Sequence, residues 1–155
     1  MTELKNAEGK KLALSIREPW AYLICAGYKD VENRDRLLSV RKLPLRIYVH
    51  AGQTAASSNE HARAFSLLIR ERGSNEAKKV MQAYRDAGPA IMGAIIGEVT
   101  IVNCLQRLPG DRNNLYSNWH EEGKWGLILS RAELYEKPIP CSGSLGFFVP
   151  QFRLL

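Results

Sequence analysis

A run of sixteen residues from Ala90 to Leu105, AIMGAIIGEVTIVNCL, most strongly limits the folds open to this chain. It is rich in β-branched residues, which favour a strand. Gly93 and Gly97 interrupt it, and glycines inside a strand pattern indicate a bulge or a bend. We predict one long bent strand, or two strands joined at a bulge. The longest apolar stretch, Gly88 to Gly97, is far short of the roughly 20 residues of a membrane-spanning helix, so we expect no membrane partner.

The flanking sequence predicts further strands and a short helix. KLALSI, residues 11–16, alternates in the way of a strand with one buried face. Residues 18–27 then predict a short helix, with Pro19 in its first turn and Gly27 at its end. Four more strands are predicted, two before and two after the long one, and turn residues precede the last of them. These segments are DVENR (30–34), LPLRIYVHA (43–51), WGLILSRAELY (125–135), the turn KPIPCSGSLG (137–146) and the strand FFVPQF (147–152).

Two helices are predicted between the strand at 43–51 and the long strand. Ser57 and Glu60 have the spacing of a capping box, and Gly73 is placed to end the first helix. The two helices, residues 57–88, are interpreted as an insertion packed on the sheet. Short spacings and glycine bulges favour an α+β fold, with a small, strongly curved β-barrel flanked by short helices, over a parallel α/β sheet.

The length of 155 residues predicts a single domain, 1–155, with a polar and flexible start at residues 1–10. That start lacks the apolar core of a secretory signal. The three cysteines form no CxxC pair and leave one thiol unpaired under any bridging scheme, which favours reduced thiols. We therefore expect a cytoplasmic protein.

The formal net charge is +6, and the excess is concentrated in the first third of the chain. Residues 34–46 contain five basic side chains and one acidic side chain, Asp35. Such a local field attracts polyphosphates, because binding releases condensed counterions. The five bases are Arg34, Arg36, Arg41, Lys42 and Arg46.

The densest cluster of charge follows the short predicted helix, in GYKDVENRDR at residues 27–36. Gly27 allows a turn that brings Lys29 over the start of the next strand, where Glu32 and Arg34 share a face. An ammonium can stabilise a developing negative charge, a carboxylate can activate water, and a guanidinium can hold a phosphate. The alternative is that Glu32 only forms ion pairs that fix the turn.

The segment from Leu14 to Arg34, LSIREPWAYLICAGYKDVENR, resembles the signature of the ASCH (activating signal cointegrator homology) family, a branch of the PUA-like superfamily. The signature is a strand ending in Ser-[Ile/Phe]-Arg-x-Pro-[Trp/Tyr], a short helix, and Gly-x-Lys-x-x-Glu-x-Arg. The similarity continues more loosely through most of the chain except residues 57–88. It implies a β-barrel with a cleft that binds RNA or a nucleotide-like ligand.

Some relatives in this family are hydrolases, either ribonucleases or amidohydrolases that deacetylate acetylated cytidine. The resemblance to the amidohydrolases implies catalytic roles for Lys29 and for Glu98 in GEVT. Those relatives have a threonine where this chain has Glu32. The departure puts a hydroxyl nucleophile in question. It leaves Glu32 or Glu98 as the candidate for activating water, with Lys29 as an electrostatic stabiliser or a base.

Further ligand-binding candidates lie in the other segments. Arg17 stands where a strand meets a helix N-terminus, which offers free N–H groups to an anion. Trp20 has the helical spacing of a core residue, and the alternative is that its ring stacks on a base. The predicted strand at 43–51 carries a polar and aromatic face on which a base can stack, or which is simply exposed. That face consists of Arg46, Tyr48 and His50.

The loop before the strand at 125–135 supplies two more candidates, Trp119 and Lys124, which we expect at the surface or facing a ligand, whereas Trp125 is expected in the core. No second histidine lies at ligand spacing from His50, so we expect neither a bound metal nor another cofactor. A loosely held Mg²⁺ between Glu32 and Glu98 remains compatible with the sequence.

Three functions are compatible with these residues. The first is an RNA- or nucleotide-binding protein whose basic cleft surrounds Lys29, Glu32 and Arg34. The second is a hydrolase, acting on RNA as a ribonuclease or on a modified nucleoside such as N4-acetylcytidine. The third is a non-catalytic protein-interaction module. The sequence does not decide the oligomeric state.

Overall fold

The structure is a computed structural model of the chain and describes residues 10–38, 42–112 and 115–152. The start predicted to be flexible lies outside these residues except for its last position, and so does Arg41 of the basic cluster. The described elements follow one another as β1 (Ala13–Ile16), α1 (Trp20–Cys25), β2 (Val31–Arg34), β3 (Leu45–Ala51), α2 (Ser58–Arg72), α3 (Ser74–Ala87), a 3₁₀ turn (Gly88–Ile91), β4 (Ala94–Gln106), β5 (Trp125–Pro140) and β6 (Phe147–Phe148).

The six strands form one mixed sheet in the order β2-β5-β4-β3-β1-β6. β1 runs parallel to β3, and the other neighbouring strands are antiparallel. The sheet curls into a half-barrel, and within the described ranges β2 and β6 are its edges. The predicted α+β class and strong curvature are confirmed.

The long bent strand is also confirmed. β4 shifts its register with β5 at three places, one of them between Ile95 and Gly97. Each shift adds twist and bends the strand, which curls the sheet. The predicted turn at 137–146 is partly wrong, because β5 continues through Pro140. Lys137 to Pro140 have the composition of a turn, but pairing of Ile139 with Ile95 holds them in the strand.

The main core lies between the sheet and the helices. α1 is buried along most of its length, with Leu23 and Ile24 fully enclosed. Pro19 stands one residue before the helix, at its N-cap, and not in its first turn as predicted. Gly27 adopts a φ of +89°, which ends the helical segment and turns the chain towards β2.

The helices at 57–88 pack on this core through a row of apolar side chains. The predicted capping box is confirmed: the Ser57 side chain accepts a hydrogen bond from the Glu60 N–H, and the Glu60 carboxylate accepts one from the Ser57 N–H. No helix in the described ranges is long and apolar enough to cross a membrane. The apolar row consists of Ala64, Leu68, Ala77, Val80 and Met81.

Candidate functional site

The turn after α1 places Lys29 at the base of a cleft. The backbone N–H groups of Tyr28 and Lys29 both donate to the Leu23 carbonyl, at 2.9 and 3.0 Å, so the turn is held against the helix. Lys29 is 5 % exposed and Glu32, on β2, is 8 % exposed. Two ionisable side chains are therefore largely removed from water at this point.

Lys29, Glu32 and Arg34 lie together. Lys29 Nζ is 3.5 Å from one Glu32 carboxylate oxygen, and an Arg34 terminal nitrogen is 3.0 Å from the other. The same Arg34 nitrogen donates to the Ser15 carbonyl at 2.9 Å, and Lys29 Nζ donates to the Val31 carbonyl. The Glu32 carboxylate thus lies between two cations. This geometry is compatible with both interpretations of the motif, a reactive cluster and a structural ion pair.

Burial lowers the pKa of Lys29, and the neighbouring Glu32 carboxylate opposes part of that shift. Lys29 Nζ also lies 5.6 Å from the centre of the Trp20 ring, within cation–π range. An ammonium with a lowered pKa releases its proton more readily than an exposed lysine does. The site therefore holds a group suited either to charge stabilisation or to proton transfer.

The cleft has a volume of about 320 Å³. β1, the start of α1 and β2 form one side, α2 forms the other, and the loop before β5 closes one end. Its wall contains five cationic and four anionic side chains, so the cleft is only slightly basic. The cations are Arg17, Lys29, Arg34, Arg63 and Lys124, and the anions are Glu32, Asp35, Glu60 and Glu121.

Ion pairs surround the rim of the cleft. Arg17 lies 2.8 Å from Glu60, Arg63 pairs with Glu121, and Lys124 pairs with Asp35. The hydrogen bond and charge of Lys124 lower the pKa of Asp35. Exposed pairs of this kind contribute little to stability, typically up to about 1 kcal/mol, so a ligand can exchange with one partner at small cost.

One buried donor of Arg34 has no acceptor among the described residues. Arg34 Nε is buried, and no described residue accepts a hydrogen bond from it. A buried guanidinium N–H without a partner costs free energy comparable to a lost hydrogen bond. Glu32 and Ser15 nevertheless hold a terminal nitrogen of Arg34 in place, so the guanidinium has a fixed orientation in the wall of the cleft.

Glu98 lies in a different part of the molecule. It accepts hydrogen bonds from Lys11 and Tyr135, and it is 3.5 Å from Arg46 Nε. Burial alone raises the pKa of Glu98, but these bonds and charges outweigh it and lower the pKa. Glu32 pairs with Leu127 and Glu98 with Glu133, six positions apart on β5, which is roughly 20 Å along a strand.

The structure therefore does not bring Glu98 into the cleft with Lys29 and Glu32, contrary to the expectation from the sequence. A Mg²⁺ shared by Glu32 and Glu98 has no place at that separation. In the described parts of the chain, no cluster of three or more His, Cys, Asp or Glu side chains is arranged to hold a metal ion.

The predicted polar face of β3 is also separate from the cleft. Arg46 donates to Thr100 and to the Arg131 carbonyl, at 3.1 and 2.6 Å, so its guanidinium is engaged within the sheet. The Tyr48 ring contacts Phe152 edge to face, with 5.7 Å between centroids. His50 is 2 % exposed and bonds to protein atoms on both ring nitrogens. A base cannot stack on His50 without rearranging the sheet.

The two candidates from the loop before β5 lie in different environments. Lys124 lines the cleft, whereas Trp119 is 2 % exposed and donates through Nε1 to Glu71 at 3.1 Å. The expectation that Trp119 lies at the surface or faces a ligand is wrong. Its ring is buried edge to face against Trp20, with 6.5 Å between centroids, and Trp20 lines the cleft half-buried. Trp20 and Trp125, which were expected in the core, are both half-buried.

Sequence reasoning missed several residues of the cleft, among them one polar residue of the motif and three charged residues of distant segments. Asn33 holds the loop in place, donating to the Trp119 carbonyl at 2.8 Å and accepting from the Glu121 N–H at 2.9 Å. Its position between Glu32 and Arg34 in the motif was a usable signal. Three charged residues lie far away in the chain, and no local pattern connects them with the motif: Glu60, Arg63 and Glu121.

Comparison with known proteins gives a distant structural similarity. No family model matches the sequence, and no curated protein matches it. Among solved structures, the chain is similar to ASCH from Zymomonas mobilis and to a tyrosine-to-phenylalanine and a serine-to-alanine mutant of that protein. All three give 18% identity and a TM-score of 0.45 over 84% of this chain, covering 73%, 76% and 74% of theirs, respectively.

Proposed function

We propose that the cleft around Lys29, Glu32 and Arg34 binds RNA or a nucleotide-like ligand. The observation that carries this proposal is the Arg34 guanidinium in the cleft wall, which Glu32 and Ser15 hold in a fixed orientation and whose buried Nε has no acceptor among the described residues. A phosphate oxygen or a base carbonyl accepts from such a donor and removes the cost of its burial.

The size and the lining of the cleft fit one nucleotide unit. A volume of about 320 Å³ is near the lower end of the roughly 300–1,000 Å³ typical of small-ligand sites, and too small for a duplex. Trp20 offers an aromatic surface on which a base can stack, as in other single-strand binding sites. Arg17, Arg63 and Lys124 at the rim can exchange their carboxylate partners for phosphates of adjoining nucleotides.

Hydrolysis of the bound ligand is a second candidate function, favoured by the buried Lys29–Glu32 pair. In this function the Lys29 ammonium stabilises the charge that develops on a phosphate or acyl oxygen, and Glu32 activates water. The two substrate classes are an RNA phosphodiester and the acetyl amide of a nucleoside such as N4-acetylcytidine. Glu98 has no role in this scheme, because it does not line the cleft.

The test of binding measures the fluorescence anisotropy of labelled single-stranded RNA with the wild type and with Arg34→Ala and Arg34→Lys. Charge-assisted hydrogen bonds contribute about 1.5–3 kcal/mol, so Arg34→Ala should weaken binding roughly 10- to 100-fold. Arg34→Lys keeps the charge but loses the Nε donor, and an intermediate loss is expected. Arg36→Ala is the matched control, since Arg36 is an exposed neighbour outside the cleft.

The same proteins, with Lys29→Met and Glu32→Gln, are incubated with RNA and with N4-acetylcytidine, with and without Mg²⁺. The hydrolase function predicts turnover by the wild type and a loss of at least about 100-fold in both variants. If the wild type neither binds RNA nor turns over either substrate, the cleft is not a nucleotide site, and a protein-interaction module is favoured. If Arg36→Ala weakens binding as much as Arg34→Ala does, binding is a property of the general surface charge.

A further inference from the structure

A serine and a histidine are hydrogen-bonded to each other beside a second cavity. Ser15 Oγ lies 2.8 Å from His50 Nδ1, and His50 Nε2 lies 2.7 Å from the Cys141 carbonyl oxygen. The cleft described above uses the backbone carbonyl of Ser15, which accepts from Arg34. The hydroxyl of Ser15 and the ring of His50 have no role in that cleft.

The partners of His50 determine where its proton lies. A carbonyl oxygen can only accept, so in the neutral ring Nε2 carries the hydrogen and donates it to Cys141. Nδ1 then presents a lone pair, and the Ser15 hydroxyl donates to it. A serine hydroxyl pointing at the basic nitrogen of an imidazole, whose other nitrogen is held by an acceptor, is the arrangement that activates a serine nucleophile.

Three elements hold this pair in place. Ser15 on β1 and His50 on β3 are directly opposite each other in the parallel pairing of the two strands. The His50 ring contacts Phe148 of β6 edge to face, with 5.9 Å between centroids. The Cys141 N–H donates to the Gly93 carbonyl at 3.1 Å, which fixes the acceptor of the histidine. The geometry therefore comes from strands and not from a mobile surface loop.

A cavity of about 380 Å³ adjoins the pair. Gly52, Gly93 and Gly143 are part of its wall, so backbone rather than side chains surrounds much of the space. A Cβ atom on Gly143 would lie 2.7 Å from both Ser15 Oγ and His50 Cε1, closer than real contacts allow. The glycine thus permits the chain to pass directly over the pair, and the cavity of about 380 Å³ beside it has room for a small-molecule ester.

We infer that Ser15 and His50 form a second reactive site, which hydrolyses esters of small acyl groups. Ser15 Oγ attacks the acyl carbon while His50 Nδ1 takes the hydroxyl proton. The bond to the leaving oxygen then breaks, and Nδ1 returns the proton to that oxygen. Water, deprotonated by the same nitrogen, next attacks the acyl-serine and releases the acid, and Ser15 regains its proton. The Cys141 carbonyl stabilises the imidazolium in both steps.

The test treats the full chain with an alkyl fluorophosphonate, which forms a Ser–O–P bond and releases fluoride. Intact mass and peptide mapping should show one phosphonyl group, on Ser15, in the folded wild type and none after heat unfolding. Ser15→Ala should lose the adduct, and Ser144→Ala, a nearby exposed serine outside the cavity, should keep it. His50→Gln should slow labelling and hydrolysis of p-nitrophenyl acetate by about 100-fold or more, because the general base is removed.

Mapping the adduct in the wild type keeps the test valid even if Ser15→Ala does not fold. The inference is overturned if the folded wild type forms no adduct, if the adduct maps to another residue, or if His50→Gln is labelled at the wild-type rate. In each case the Ser15–His50 bond serves only to tie the strands together.

Discussion

Glu18 is a carboxyl group buried without full compensation. It is 0 % exposed, one of its oxygens accepts from the Tyr22 N–H at 3.1 Å, and no described residue donates to the other. Burial raises the pKa of Glu18 from 4.5 to about 7, and the Tyr22 hydrogen bond offsets only part of the effect. The folded protein therefore binds this proton more tightly than the unfolded chain does.

The sign of the pH dependence follows from that difference. Between pH 4.5 and 7 the folded state holds the proton while the unfolded state releases it, so stability falls as the pH rises. The full penalty, on the order of 3 kcal/mol for a shift of this size, is present above pH 7. Glu18→Gln, which cannot ionise, should be more stable than the wild type at pH 8 and similar to it at pH 4.5.

Thermal unfolding at both pH values measures this effect. Glu136→Gln removes the same charge from an exposed position of β5 and serves as the control. An equal gain in melting temperature in both variants at pH 8 would show that the effect comes from net charge and not from the buried carboxyl group.

The positions of individual residues were predictable where they depend only on neighbours close by in the sequence. Gly27, Lys29, Glu32 and Arg34 lie within eight positions, so the turn and the strand alternation were enough to bring them together. Trp119 was placed wrongly, because its burial depends on Trp20, a hundred positions earlier in the chain.

At the scale of elements, α2 depends on its capping box. Ser57 satisfies one N–H at the start of the helix, and loss of such a cap costs about 1 kcal/mol. Ser57→Ala should lower the unfolding free energy by that amount and the melting temperature by roughly 2–4 °C. Ser58→Ala, at the first helical residue, should change either quantity little. Chemical unfolding measures the free energy of unfolding of both variants. An equal decrease in the two would show that the cap makes no special contribution to stability.

α2 also shows what patterning predicts and what it omits. Apolar spacing and the cap predicted the helix, but only packing on the sheet places Glu60 and Arg63 in the cleft wall. The end of β5 shows the opposite case. Pro138 and Pro140 have turn chemistry, yet pairing with the start of β4 holds this segment in a strand. Local propensity was overridden there by tertiary pairing.

For the whole molecule, the net charge of +6 overstates the attraction of the cleft for phosphate. Five cations line the cleft, but the anions beside them leave little free charge. Binding of RNA therefore requires exchange of partners at the rim. With three rim cations engaged, the logarithm of affinity should fall by about 2 for each logarithmic unit of salt, at about 0.7 per phosphate of a single strand.

Removal of a competing acid should strengthen that binding. Asp35 is the most exposed acid among the rim pairs and holds Lys124, so Asp35→Asn frees a cation for phosphate. We expect a several-fold gain in RNA affinity at low salt that shrinks as salt screens the interaction. Asp86→Asn makes the same change in net charge on α3, away from the cleft, and should give little gain. Anisotropy titrations at several salt concentrations compare the RNA affinities of the two variants. Equal gains in affinity would show that the attraction comes from the charge of the whole molecule and not from the rim of the cleft.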